Sequence, residues 1–235
     1  MLSVTRDGAP NSLQRIRIAI TLTALVTSGA SGQEVIASTN TVSGVIRVFD
    51  LDGDELEDRS DVVVFIDGLS DSASYRSASK PPQISHKGRQ FSPSVLPLVQ
   101  GTTVDFLNDD NIFHNVFSLS KPKTFDLGIY PEGTSKLVSF SEPGLVRIHC
   151  NIHPRMTSTI LVLRNNLFAK TGPNGKFQIR GVPNGRVTIR VWSEFGEEQS
   201  RTVSLSGGRI EESFDVYQSK RFVQHTNKFG KRYRE

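Results

Sequence analysis

The chain has 235 residues, a formal net charge of +4, and 19 Gly and 11 Pro against a single Trp and two Met. That length accommodates one large β domain or two small ones, and short runs of Val, Ile, Phe and Thr broken by turn residues exclude a protein built on long helices. The charge is uneven, with +2 on residues 1–32 and +5 on residues 218–235 leaving −3 on the body, so nothing argues for nucleic acid, and the basic C-terminal tail reads as solvated or as a weak contact for an acidic partner or anionic lipid.

In chain order, Arg15-Ile16-Arg17 precede an apolar run from Ile18 to Val26, and small residues follow to Gly32. Positive charge, hydrophobe and small residues in that order predict a cleavable signal peptide over residues 1–32. The run is short of the roughly 20 apolar residues of a membrane span, so no integral span is expected and the chain reads as periplasmic or secreted. Export bears on the only cysteine, Cys150, because an unpaired thiol in an oxidising compartment is an oxidation liability unless it is buried or ligated.

Strand-like runs at Ser43–Phe49 and Val62–Ile66 bracket an acidic turn, Asp50–Asp58. Its alternate aspartates invite calcium, but Gly53 and Asp61 fall at the wrong places for an EF-hand loop, so a solvated turn is expected. Residues 70–82 read as a polar, proline-terminated linker. Strands are expected at Gln83–His86, Phe91–Leu98 and Thr103–Leu107, a loop at Asn108–Asn111, and further strands through Ile112–Phe117, Ser135–Phe140, Leu145–Cys150 and Thr159–Leu163. Beyond them Lys176–Arg180, a turn at Gly181–Gly185, Arg186–Trp192 and Arg201–Leu205 show the two-residue alternation of a small β-sandwich.

The densest chemistry lies at Cys150-x2-His153-x2-Met156. Thiolate, imidazole and thioether are soft metal donors, and a trigonal His2Cys set with a weak axial Met describes an electron-transfer copper site. The loop alone lacks a second histidine. Side-chain alternation puts Val146, Ile148 and Cys150 on one face and Leu145, Arg147 and His149 on the other. Taken singly, Cys150 reads as an inert buried thiol, His153 as a surface residue and Met156 as core filler; their joint spacing favours metal. Thioether is a poor zinc donor, and a Cys–His nucleophile lacks an orienting carboxylate on this loop. Pro154 and Ile152 form an apolar rim beside His153. His86 reads first as an exposed strand-end histidine, with an extra metal contact or a place lining the site as the alternative. His149 and His225 read as surface residues.

With Phe91-Ser92-Pro93, Val95-Leu96, Gly101–Val104, Asn108-Asp109, His114-Asn115 and Cys150-x2-His153-x2-Met156 in this order, residues 82–164 resemble the cupredoxins, the small blue copper proteins. The short ligand loop is most similar to that of amicyanin, and related chains are often labelled methylamine-utilisation proteins. The resemblance implies a Greek-key β-sandwich holding one type 1 copper ion on His114, Cys150, His153 and Met156, with Asn115 bracing the His114 and Cys150 loops. Residues 41–69 and 165–217 resemble two halves of a carboxypeptidase-regulatory-like, transthyretin-like sandwich.

The expected architecture is therefore all-β, with the cupredoxin domain inserted into, or in tandem with, the second sandwich, and a basic tail over 218–235. The expected function is that of a periplasmic electron carrier, not an enzyme, serving redox partner proteins. Copper storage, delivery or sensing, and a structural β module with a vestigial site, are the alternatives.

Overall fold

The computed structural model describes residues 39–69, 80–219 and 225–233. The expected signal peptide and most of the expected linker lie outside the described residues. Within them every regular element is a strand. In chain order these are β1 (Thr39–Phe49), β2 (Val63–Asp67), β3 (Gln83–Lys87), β4 (Gln90–Ser92), β5 (Val95–Val99), β6 (Thr102–Asn108), β7 (His114–Ser120), β8 (Lys123–Tyr130) and β9 (Ser135–Phe140). They continue as β10 (Gly144–Cys150), β11 (Thr157–Leu163), β12 (Phe168–Lys170), β13 (Lys176–Pro183), β14 (Gly185–Trp192), β15 (Gln199–Leu205), β16 (Gly208–Glu211) and β17 (Phe214–Tyr217). The protein is all-β.

Four sheets form two sandwiches. One pairs the order β5-β11-β10-β7-β8 with β4-β3-β6-β9 and uses only β3 to β11. The other is built from β13-β1-β16, with β17 also on β1, and β12-β2-β14-β15. The first, inner sandwich thus enters the chain between β2 and β12 of the second, outer one. Alternation explains both cores. In β6 Val104 and Phe106 point inward while Thr103, Asp105 and Leu107 do not, and in β14 Val187, Ile189 and Val191 do the same. Each fully buried large apolar side chain contributes about 1.5–3 kcal/mol, and the inner core collects Phe106, Phe140, Ile148 and Ile160 while the outer collects Ile46, Ile66, Ile189 and Phe214.

A third apolar cluster joins the two sandwiches. Val63 of β2 meets Val95, Leu161 and Leu163 of the inner sheet, flanked by Phe65, Leu145, Phe168 and Trp192. Polar ties lie nearby: Lys170 Nζ donates to Val95 O at 2.9 Å and to Asp61 at 2.7 Å, and Glu194 receives Arg147 at 2.6 Å and Thr159 at 2.7 Å.

Local departures from the expected elements have local causes. The run Phe91–Leu98 is two strands, with β4 pairing with β3 in one sheet and β5 with β11 in the other. The expected turn at Gly181 is a bulge inside β13: the partners of Asn40 and Thr41 are Val182 and Arg180, leaving Gly181, at φ 79°, as the extra residue. The acidic turn is closed by its own aspartate, since Asp50 Oδ1 accepts from the backbone N–H of Asp52 and Asp54 at 2.9 Å each.

Candidate metal centre

β10 brings Cys150 to the site. Val146, Ile148 and Cys150 are fully buried, whereas Leu145, Arg147 and His149 are only partly covered. β10 pairs with β7 at its end, Cys150 opposite Val116 and His149 opposite Phe117, and β7 begins at His114 opposite Tyr130 of β8. The Cys150 loop and the start of β7 are thereby held side by side, with Asn151 N–H donating to Asn115 O at 2.9 Å. The loop then folds back on itself. Met156 N–H donates to His153 O at 3.0 Å and Cys150 N–H to Met156 O at 3.1 Å, which carries buried Met156 into the inner core.

Three ligand atoms converge. Those of His114, Cys150 and His153 lie within 4.8 Å of one another. Cys150 Sγ is 3.7 Å from His114 Nδ1 and 3.6 Å from His153 Nδ1. A first-row ion about 2.3 Å from sulfur and about 2.0–2.1 Å from nitrogen, at angles between tetrahedral and trigonal, spans an S···N edge of about 3.6–3.8 Å. The donor set fits such an ion.

The surroundings prepare each donor. His114 Nε2 lies 3.1 Å from Asp110 Oδ2, and that oxygen also accepts from Arg89 N–H. A carboxylate only accepts, so Nε2 carries the proton and Nδ1 is the nitrogen that faces the thiol. Burial opposes charge on His114, but hydrogen bonds and charge from Cys150 and Asp110 outweigh it and raise its pKa. The Arg89 N–H holds Asp110 below the usual carboxylate range despite its partial burial. Burial alone would raise the Cys150 thiol, yet His114 and the backbone N–H groups of Ile152, Asn115 and His153 lower it. The thiol is thus prepared to lose its proton, the form a metal binds. His153 is half-buried and its pKa is lowered by burial, with the charges of His114 and Arg89 adding to it.

The remaining expected residues take different places. The brace at Asn115 runs through its carbonyl and backbone N–H, while its side chain donates to Asp126 Oδ1 at 2.6 Å. Pro154 is half-buried in the loop, beside exposed Ile152. His86 stands outside the ligand trio, and it is not exposed either: it is fully buried, its ring 5.4 Å from that of His114 and its Nε2 3.2 Å from Tyr130 Oη. Burial and the neighbouring His114 pull its pKa down to about 3, so it lines the site as a neutral ring. His149, expected at the surface, is partly covered. It lies beneath His225, the rings 4.3 Å apart and nearly parallel, with its pKa pulled down to about 3 by burial and by the charges of His225 and Arg147.

The expected tail contains the largest difference. Residues 225–233 pack against the ligand loop, with Tyr233 Oη donating to Cys150 O at 3.0 Å and Lys228 N–H to Asn151 Oδ1 at 2.9 Å. The spacing of Asp110, Asp126, Tyr130 and Tyr233 carries no metal-ligand pattern in the sequence; only the fold brings them to the site.

No family model matches the chain, and no curated protein matches it. Solved structures that it resembles, over about 40% of the chain and at low identity, include cupredoxins. A purple cupredoxin from Nitrosopumilus maritimus is 28% identical over 35% of this chain and 99% of its own, with a TM-score of 0.33. A mutant amicyanin in its Cu(I) form is 19% identical over 43% of this chain and 98% of its own, with a TM-score of 0.34. A copper-containing nitrite reductase from Thermus scotoductus SA-01 is 25% identical, covering 40% of this chain and 25% of its own, with a TM-score of 0.35. Among the described residues no helix is long and apolar enough to cross a membrane.

Proposed function

We propose that His114, Cys150, His153 and Met156 hold one type 1 copper ion and that the protein carries single electrons between redox partners, without turning over a substrate. The observation that carries this reading is the convergence of one buried thiol and two Nδ1 atoms at metal-spanning edges, on a loop that closes through Met156. Copper supplies a one-electron couple that a thiolate, two imidazoles and a weak thioether accommodate in both oxidation states. The chain's own residues do the rest. Asp110 fixes the His114 tautomer, three backbone N–H groups stabilise the thiolate, and the buried rings of His86 and Tyr130 exclude water behind His114.

Electrons would enter and leave beside His153. Ile152 is 41% exposed and Phe113, next to His114, is 59% exposed, giving the apolar surface against which a partner protein loses water. The run of residues 18–26 supports export, and a periplasmic location is part of the same proposal.

Cyclic voltammetry of protein loaded with one equivalent of Cu(II) tests the reading. A reversible one-electron wave is the expected result. Colourless, labile Cu(I) binding without a reversible wave would favour copper storage or delivery, and absence of copper uptake would leave a structural module.

A further inference from the structure

Residues 225–233 make contacts that a solvated basic tail would not make. The segment closes its own turn: Gly230 N–H donates to Asn227 O at 2.9 Å, Asn227 N–H to Lys231 O at 2.8 Å, and Asn227 Oδ1 accepts from Phe229 and Lys231 N–H at 3.0 Å each. From that turn it reaches both ligand-bearing segments. Tyr233 Oη holds the carbonyl of Cys150, whose N–H is already held by Met156 O, so the peptide groups on both sides of the cysteine are fixed. Lys228 N–H holds the Asn151 side chain, and Lys228 Nζ reaches Asp126 Oδ2 at 2.6 Å. Asp126 in turn accepts from the amide of Asn115, the residue after His114. One residue, Lys228, therefore couples the Cys150 loop, through its backbone N–H, to the start of β7, through its ammonium and Asp126. His225 adds an apolar seal, its ring stacked on His149 and edge-on to Tyr233 at 5.4 Å.

We infer that residues 225–233 are a clamp on the ligand loop, and that Lys228 and Tyr233 are positioning residues that hold Cys150 facing His114 and His153 before any metal arrives. Pre-organisation of this kind lowers the ordering cost of binding, and partners of this kind orient the ligands themselves. The inference rests on the reading of the trio as a metal site, but its test does not require metal.

The rate of alkylation of Cys150 by iodoacetamide in the metal-free full chain reads how firmly the loop is held. K228M/Y233F should react at least about threefold faster than the unsubstituted protein, since opening of the loop is what exposes the buried thiol. Y233F should fall between them, and K228R, which keeps the contact with Asp126, should react at nearly the unsubstituted rate. Should the double variant not fold, Y233F decides alone. Equal rates in the unsubstituted protein and the variants would overturn the clamp, as would a K228R rate matching that of K228M/Y233F. Copper uptake is a separate measurement: a fast-reacting variant beside an unsubstituted protein that takes up no copper would refute the copper reading and leave the clamp standing.

Discussion

At the scale of single residues the site depends on buried polar groups whose protonation is set by their neighbours. His86 is the clearest case. Its pKa in the fold is about 3 against an ordinary 6.5, so on acidification the unfolded chain takes up this proton first. The stability linked to His86 is complete above about pH 6.5 and drains as pH falls toward 3. Between pH 6.5 and 5 that amounts to about 2 kcal/mol, and H86Q should lose correspondingly less over the same interval in urea titrations of the metal-free protein. Met156 makes a different prediction. It is 1% exposed within the inner core, so M156A should cost about 2–5 kcal/mol by chemical denaturation. The copper–thiolate colour should survive, because Cys150, His114 and His153 remain.

At the scale of elements, the placement of Cys150 follows from the alternation of β10, which is plain in Leu145-Val146-Arg147-Ile148-His149-Cys150. Strands as regular as this one were legible in the sequence, as was the C-x2-H-x2-M loop, because both are local patterns. His114 was reached only through its family resemblance, since no spacing rule links it to a loop 36 residues away. The strand β8 was not legible: Asp126 and Gly128, at φ 67°, interrupt its alternation where its pairing with β7 shifts register. Nor was the place of His86, which depends on the parallel pairing of β3 with β6 and on Tyr130 closing over it. The clamp is not legible in the sequence because it docks by backbone and side-chain hydrogen bonds on a charged segment with no apolar period. One glycine carries an element-scale prediction. A Cβ on Gly44 would stand 1.9 Å from Glu212 O, where β1 passes from pairing with β16 to pairing with β17. G44A should therefore cost at least about 1–3 kcal/mol, measured by the shift of the urea midpoint.

At the scale of the whole molecule, the two sandwiches share the cluster around Val63, Leu161 and Trp192 and the ties through Glu194 and Lys170. Asp61, at φ 62°, is held between Ser94 of the inner sandwich and Lys170 of the outer. Shared burial of this kind should couple the unfolding of the two sandwiches, so calorimetry should show one transition, and L161D, which places a carboxylate in the shared cluster, should split it in two. The outer sandwich thus contacts β10 and β11, which carry the ligand loop at their far end.

The central claim, that Cys150 is a copper-bound thiolate, is tested most directly by the visible absorption spectrum of the Cu(II)-loaded protein beside its C150S variant. An intense blue-to-purple thiolate-to-copper band that C150S abolishes is the predicted result. A colourless loaded protein, or a band that persists in C150S, would contradict it.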